Sequence, residues 1–127
     1  MAEDTVERLM STELVTIAPD ASAADAAKRM LETGVSSVLV VDDGRLVGLI
    51  TATDFVSLVR QNEPNDETPA SAFMTTEVVT IAPDDPIEEF AEPADRGYTH
   101  LPVVDGDGRL VGMVSTTDLT AYVSEHR

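Results

Sequence analysis

GRLVGLITATD, at residues 44–54, returns as GRLVGMVSTTD at residues 108–118, and this repetition decides the fold of the chain. The offset of 64 residues is about half of a chain of 127 residues. LMSTELVTIAP, at residues 9–19, matches FMTTEVVTIAP, at residues 73–83, at the same offset and at 8 of 11 positions. Several segments repeated in one order indicate two copies of one structural unit.

A third pair of segments completes the repeat. VSSVLVVD, at residues 35–42, matches YTHLPVVD, at residues 98–105, at an offset of 63. We therefore assign the two copies to residues 7–60 and 70–124. Residues 61–69, between the copies, combine polar side chains with proline, a composition that predicts a surface linker.

Each copy predicts the order β-α-β-β-α, and hence an α+β fold. The first strand is LVTI in one copy and VVTI in the other, and Gly34 or Gly97 ends the helix that follows. A DDG or DGDG turn joins the next two strands as a hairpin, and a short helix closes each copy. One copy alone could not bury its helix and sheet faces well, so we expect the two copies to share one core.

The first long helix of each copy carries start and packing signals. We expect the helix of the first copy to begin near Ser22, with these apolar residues on one face: Ala23, Ala26, Ala27, Met30 and Leu31. In the second copy, Asp85 is the predicted N-cap, followed by Pro86 in the first helical position and Glu88 as the acid of the first turn. Pro93 predicts a kink or break between residues 92 and 97, because a proline inside a helix costs about 3 kcal/mol.

The charge of the chain is strongly negative. Asp and Glu total 24 against 8 Lys and Arg, which gives a net charge of −16. This field opposes binding to nucleic acids and anionic membranes, and we expect neither as a partner. The acids are spread along the whole chain, which favours a surface adapted to high salt and an origin in a halophilic archaeon.

Composition also restricts the compartment and the chemistry. The chain has no cysteine, so disulfides, thiolate catalysis and cysteine metal sites are excluded. The first residues form no apolar signal segment, and no apolar run approaches the length of about 20 residues that a membrane span needs. We therefore expect a cytoplasmic protein.

The repeated phrase ends in residues that suit two roles. Thr51 and Asp54, like Ser115 and Asp118, follow the capping-box pattern [ST]-x-x-[DE] at a predicted helix start. In the first role these residues only cap a helix. In the second, the helix start and the hydroxyl hold a phosphate, and the carboxylate accepts hydrogen bonds from the hydroxyls of a ribose. The residues alone leave both roles open.

The three repeated motifs together resemble the cystathionine-β-synthase-type, or CBS, domain, and the pair resembles a Bateman module. These motifs are M-[ST]-T-x-x-V-T-I-A-P, G-[VY]-[ST]-x-[VL]-[LP]-V-V-D and G-[LM]-[IV]-[TS]-x-T-D. The resemblance implies two β-α-β-β-α units related by pseudo-two-fold symmetry. It also implies a regulatory homodimer that binds adenine nucleotides or S-adenosylmethionine-like ligands in clefts between the units. An adenosine ligand is then expected, no cofactor is required, and the regulated partner is an unknown second protein.

The resemblance also implies two sets of ligand-binding residues, one from each copy. Site 1 comprises Thr16, Ile17, Val35, Ser36, Ser37, Val38, Thr51, Thr53 and Asp54. Site 2 comprises Thr80, Ile81, Tyr98, Thr99, His100, Leu101, Pro102, Ser115, Thr117 and Asp118. Core packing is the alternative role of the apolar members, and a place on a partly buried strand is the alternative role of His100. His126 is expected in a frayed tail.

Two departures from the family pattern bear on the ligand. Thr53 and Thr117 stand where many relatives carry a basic residue that can contact phosphate. A monophosphate, an uncharged adenosine compound or a metal-chelated nucleotide therefore suits this acidic chain better than a bare triphosphate. Leu39 in the first copy corresponds to Pro102 in the second, and we expect two unequal sites.

The sequence bears on two other classes of function besides a regulatory module. A ligand-free structural or dimerisation module needs only the helix caps and is the main alternative. An enzyme is not expected, because the sequence has no nucleophile–base pair, P-loop or Rossmann fingerprint, and no metal-ligand spacing.

Overall fold

The computed structural model describes residues 4–61 and 66–125. In chain order the elements are α1 (Val6–Leu9), β1 (Thr16–Ile17), α2 (Ala23–Thr33), β2 (Ser37–Asp42), β3 (Arg45–Thr51), α3 (Ala52–Arg60), α4 (Ala70–Phe73), a 3₁₀ helix (Ile87–Phe90), α5 (Ala91–Asp95), β4 (His100–Val104), β5 (Leu110–Ser115) and α6 (Thr116–Glu125). The mixed α+β fold predicted from the repeat is confirmed.

The chain forms two structural units that do not follow the limits of the sequence copies. The first unit runs from Val15 to Val78, and the second combines the described residues up to Leu14 with those from Val79 onward. Residues 6–11 and 70–75 are the equivalent N-terminal arms of the two copies. Each unit thus contains the body of one copy and the arm of the other copy.

The first unit contains the predicted β-α-β-β-α order. Its sheet has the order β1-β2-β3, with β1 parallel and β3 antiparallel to β2. The hairpin turn has positive φ angles at Asp43 (53°) and Gly44 (82°), as a type I′ turn requires. This turn matches the twist of the two strands and confirms the hairpin predicted at DDG.

The second unit lacks a regular first strand, in contrast to the prediction for VVTI. Only Ile81 pairs there, as a single parallel bridge to Val103 of the β4–β5 hairpin. In the first unit, the Leu39 amide donates to the Val15 carbonyl at 3.1 Å. The equivalent of Leu39 is Pro102, which has no amide hydrogen to donate. The parallel pairing with β4 is therefore shorter than the pairing of β1 with β2.

Helix α2 follows its sequence signals with one exception. Ser22 caps the helix through a capping box with Asp25, and Gly34 ends it in the left-handed conformation with φ of 70°. Met30 is buried, together with Ala23 and Ala26, but Leu31 is 84% exposed. The predicted apolar face was therefore too wide, since Leu31 lies outside the stripe that packs against the sheet.

The corresponding helix of the second copy differs from the prediction. Asp85 is not its N-cap, because the Asp85 carboxylate accepts a hydrogen bond from the Ala82 amide at 2.9 Å, and Pro86 stands in the cap position. A 3₁₀ turn precedes α5, and Pro93 is the third residue of α5. A proline in the first turn of a helix removes no intrahelical hydrogen bond, so it is tolerated there. Helix α5 ends at Asp95, inside the interval where a break was expected.

Buried side chains form two clusters rather than the single shared core predicted from the repeat. The cluster of the first unit contains Ala26, Met30, Val38, Val40, Ile50 and Ala70. The cluster of the second unit contains Val6, Ile81, Phe90, Leu101, Val103 and Val114. Ala70 and Val6 come from the exchanged arms. The exchange therefore supplies each cluster with a helix that its own copy does not provide.

The linker prediction for residues 61–69 is only partly testable, because residues 62–65 lie outside the described residues. The Asp66 and Thr68 carbonyls accept hydrogen bonds from the Ala24 amide (2.9 Å) and the Ala23 amide (2.7 Å). The end of the linker thus satisfies two of the amides that the first turn of α2 leaves without helical partners.

Candidate functional site

The repeated phrase forms a strand end followed directly by a helix start. In the first unit, β3 ends at Thr51 and α3 begins at Ala52, and Thr51 and Asp54 form the predicted capping box. The Asp54 carboxylate accepts from the Thr51 amide at 2.9 Å and from the Thr51 hydroxyl at 3.3 Å. The hydrogen bonds fix the carboxylate in the first turn of the helix.

The second unit repeats this geometry at Ser115 and Asp118. The Ser115 amide donates to the Asp118 carboxylate at 2.8 Å, and the Asp118 amide donates to the Ser115 hydroxyl at 3.1 Å. Both carboxylates are half-buried, and each lies in the first turn of its helix, α3 or α6. The capping prediction is confirmed in both copies.

Thr75 is a member of the first site that sequence analysis missed. Its hydroxyl donates to Asp54 at 3.0 Å from Oδ1 and 3.2 Å from Oδ2. Thr75 belongs to the exchanged arm, and two backbone hydrogen bonds to Leu49 hold it beside β3. The only sequence signal was its place in the repeated motif M-[ST]-T, which gives no spatial neighbour.

Strand pairing places the predicted site residues that follow Gly34 and Gly97 at the same end of each hairpin, next to the residue that caps the closing helix. Ser37 is paired with Thr51 in the first unit, and His100 is paired with Ser115 in the second. The Thr116 amide also donates to the Thr99 carbonyl at 2.9 Å. Within each unit, the segment after the helix-ending glycine therefore lies next to the capping residue.

The predicted residues of site 1 differ in how accessible their side chains are. Ser36 and Thr53 are exposed, and Thr16, Ile17, Val35 and Ser37 are half-buried. Val38 is fully buried and belongs to the core cluster of the first unit. Any contact from Val38 to a ligand would have to come from its backbone.

Site 2 separates in the same way into a buried and an open part. Ile81, Leu101 and Pro102 are buried, whereas Thr80, Tyr98, Thr99, His100 and Thr117 are exposed. The Thr99 hydroxyl and His100 Nδ1 lie 3.0 Å apart in a hydrogen bond. His100 is thus an exposed residue at the strand end, not the partly buried residue of the alternative. His126 lies outside the described residues.

Tyr98 carries a basic neighbour that the first copy lacks. The Arg96 guanidinium carbon lies 5.4 Å from the centre of the Tyr98 ring, within the range of a cation–π contact. The same guanidinium donates to Glu92 at 3.1 Å, and this hydrogen bond raises the pKa of Arg96 further above its ordinary value. A positive charge, paired with Glu92, therefore lies beside Tyr98 of site 2.

A surface pocket of about 560 Å³ lies in the second unit, at the turn end of its hairpin. It is lined by Thr80, Ile81, Ala82, Pro83, Asp84, Asp85, Val104, Asp105 and Gly106. Of the predicted site residues, Thr80 and Ile81 line this acidic pocket. Asp118 does not, because it follows the opposite end of the hairpin.

The structure and the motifs define a duplicated α+β module with a carboxylate at equivalent helix starts. The family model for the CBS domain matches residues 6–61 and 70–125, and the chain belongs to this family. The family resemblance derived from the sequence is confirmed. None of the helices in the described part of the chain is long and apolar enough to cross a membrane.

Known proteins similar to this chain include parts of enzymes and separate CBS pairs. Homoserine O-acetyltransferase of Methanohalobium evestigatum is 35% identical over 122 residues, which are 94% of this chain and 24% of that protein. The chain therefore spans about a quarter of that relative.

Two solved structures cover nearly the whole chain. The CBS domain pair of protein MJ0100, in complex with 5′-methylthioadenosine and S-adenosyl-L-methionine, is 26% identical with a TM-score of 0.79, covering 99% of this chain and 100% of its own. CBSX2 in complex with AMP is 26% identical with a TM-score of 0.81, covering 97% of this chain and 98% of its own.

Proposed function

We propose that this chain is a non-catalytic regulatory module that binds an adenosine-containing ligand and transmits its occupancy to a partner protein. The observation that carries the proposal is the carboxylate held in the first turn of α3 (Asp54) and of α6 (Asp118). A carboxylate can accept two hydrogen bonds from the neighbouring hydroxyls of a ribose. The AMP, methylthioadenosine and S-adenosylmethionine complexes of similar proteins support this ligand class.

The charge of the chain favours a ligand that carries little negative charge itself. The net charge is −16, and Thr53 and Thr117 offer hydroxyls rather than cations near the two helix starts. Arg96 supplies one positive charge next to Tyr98 of site 2. We therefore infer an AMP-like monophosphate, an uncharged adenosine compound or a metal-chelated nucleotide rather than a bare triphosphate.

We infer that the module acts on a partner protein, because a regulatory module controls an activity that it does not itself contain. The relative from Methanohalobium evestigatum carries the similar segment as about a quarter of a longer chain. We also infer a homodimer, since apolar side chains are exposed on α3 (Val56 59%, Val59 60%) and on α6 (Val123 59%). Sedimentation velocity tests the dimer, and a monomer at micromolar concentration would contradict it.

The test of ligand binding is thermal unfolding with AMP, ADP, ATP and S-adenosylmethionine, each in high and in low salt. A ligand at 100 times its Kd stabilises the folded state by about 2.7 kcal/mol, so a clear rise in Tm is expected for at least one of them. The double variant Asp54→Ala, Asp118→Ala should lose this rise. If none of the four ligands raises the Tm at millimolar concentration, the proposal is wrong.

A ligand-free structural module is the second candidate function. The same carboxylates already accept hydrogen bonds from the Thr51 and Ser115 amides, and capping alone stabilises a helix by about 0.5–2 kcal/mol. This candidate predicts that the double variant loses stability while the wild-type protein responds to no ligand.

A further inference from the structure

Asp54 and Asp118 occupy the same place in the two sequence copies but have different hydrogen-bond partners. Asp54 accepts from the Thr51 amide, the Thr51 hydroxyl and the Thr75 hydroxyl. Within residues 4–61 and 66–125, the Ser115 amide is the one hydrogen-bond donor to the Asp118 carboxylate. The two sites are therefore unequal at the carboxylate itself.

The position of the Thr75 hydroxyl decides what Asp54 can bind. Its oxygen lies 3.0 Å from one carboxylate oxygen and 3.2 Å from the other, so it faces the edge of the carboxylate between the two oxygens. Two neighbouring hydroxyls that each donate to one oxygen would approach the same edge. The Thr75 hydroxyl thus takes the place of a bound diol.

The backbone and the residue type both hold this hydroxyl in position. The Leu49 amide donates to the Thr75 carbonyl at 2.9 Å, and the Thr75 amide donates to the Leu49 carbonyl at 2.8 Å. Threonine is branched at Cβ, so few rotamers of Thr75 are available. Fewer alternative positions are therefore open to the Thr75 hydroxyl than to a serine hydroxyl at the same place.

Ser11 is the counterpart of Thr75 in the second unit, 64 residues earlier in the sequence. It exchanges the equivalent two backbone hydrogen bonds with Met113, at 2.8 and 2.9 Å. Serine lacks the second Cβ substituent and rotates more freely. In the described part of the second unit, the Ser11 side chain makes no hydrogen bond to Asp118, and the Oδ1 atom of Asp118 has no hydrogen-bond donor there.

We infer that Thr75 masks the Asp54 carboxylate, so that the Asp118 site is the primary binding site for a vicinal diol and the Asp54 site is a weak second site. The inference rests on the proposed function and names the residue that makes its two sites unequal. Thr75 acts on the ligand through Asp54 and is a positioning residue, while Asp118 contacts the ligand directly.

The experiment is isothermal titration with AMP on the wild-type protein and on single-site backgrounds. Asp118→Ala isolates the first site, and Asp54→Ala isolates the second. Thr75→Val keeps the shape of the side chain and removes the hydroxyl. Loss of one competing hydrogen bond to a charged group should tighten AMP binding in the Asp118→Ala background by about tenfold. The same substitution should leave Kd unchanged in the Asp54→Ala background.

Ser11→Thr is the reciprocal variant and installs the stiffer residue beside Asp118. Ser11→Thr should weaken AMP binding in the Asp54→Ala background. In the Asp118→Ala background, Thr75→Ser should tighten AMP binding, but by less than Thr75→Val does. Adenosine monophosphate without the 2′-hydroxyl is the matched ligand control. Its gain from Thr75→Val should be smaller than that of AMP, because it donates one hydrogen bond to the carboxylate instead of two.

The outcomes separate the inference from the proposed function. If AMP binds but Thr75→Val leaves the AMP affinity of the first site unchanged or lowers it, Thr75 does not mask Asp54. In that case the inference is wrong while the proposed function stands. Equal affinities of the two isolated wild-type sites would also overturn it. If AMP binds to neither the wild-type protein nor any variant, while circular dichroism shows that all are folded, the inference falls together with an AMP-binding function.

Discussion

Gly48 of β3 lies so close to Met74 that a Cβ atom on the glycine would fall 2.8 Å from the Met74 Cγ. Gly112 of β5 has the same relation to Met10, again with 2.8 Å to Cγ. In both pairs, a strand of one copy receives the arm of the other copy. The second glycine of the repeated phrase GRLVG is therefore required by packing against the exchanged arm.

Replacement of Gly48 by alanine should destabilise the protein by about 1–3 kcal/mol, the usual cost of overpacking a filled site. Besides the contact with Met74, the new Cβ would lie 3.1 Å from the Thr75 carbonyl oxygen, which the pairing with Leu49 holds in place. Urea unfolding measures the change. Gly106→Ala is the control, because a Cβ there meets nothing within 4 Å. Equal stability of the two variants would contradict this packing.

Pro102→Leu should extend the parallel pairing in the second unit. The leucine would supply the amide hydrogen that Leu39 uses in the first unit, where it donates to Val15 at 3.1 Å. Hydrogen exchange followed by NMR should find a protected amide at position 102, facing the Val79 carbonyl. An amide there that exchanges as fast as one in an open loop would show that proline is not what limits this strand.

Two neighbouring residues of α2 should respond oppositely to substitution. Met30→Ala removes a side chain that is 9% exposed and should cost about 2–5 kcal/mol of unfolding free energy. Leu31→Gln changes a side chain that is 84% exposed and should alter stability by about 0.5 kcal/mol or less. Chemical denaturation of both variants tests the width of the apolar face. A large decrease in the unfolding free energy of Leu31→Gln would show that Leu31 belongs to the buried face after all.

Tyr122 should make stability fall in alkaline solution. Its hydroxyl donates to Asp4 at 2.5 Å, and this hydrogen bond, followed by burial, raises the pKa of Tyr122 above its ordinary value. The neutral phenol is therefore favoured in the folded protein. Stability from this contact is fully present below about pH 10, the pKa of an unperturbed tyrosine, and is lost as the pH rises through the higher folded pKa.

Tyr122→Phe should abolish the loss of stability that comes from ionisation of Tyr122, since phenylalanine has no proton to release. Urea unfolding of the wild-type protein and the variant should give curves that converge as the pH rises above about 10. A constant difference between the two proteins at every pH would show that the hydrogen bond to Asp4 does not couple to the titration.

Local features of the site could be predicted from the sequence, because the residues involved are neighbours in the chain. The caps at Thr51–Asp54 and Ser115–Asp118 each join residues three positions apart, and the type I′ turn places its positive φ angles at the adjacent residues Asp43 and Gly44. Thr75 could not be predicted as a partner of Asp54, because 21 residues separate them and only the folded arm brings them together.

The sequence by itself determined the family, the presence of two copies, the β-α-β-β-α order of the first unit and the two capped helix starts, because each depends on repeated motifs or on residues close together in the chain. Only the tertiary structure decided that the arms are exchanged, that buried side chains form two clusters and that Leu31 faces solvent. It also decided that Pro102 shortens one strand pairing and that the Thr75 hydroxyl donates to the Asp54 carboxylate. These outcomes depend on contacts between distant segments, whose geometry a pattern of residue types does not contain.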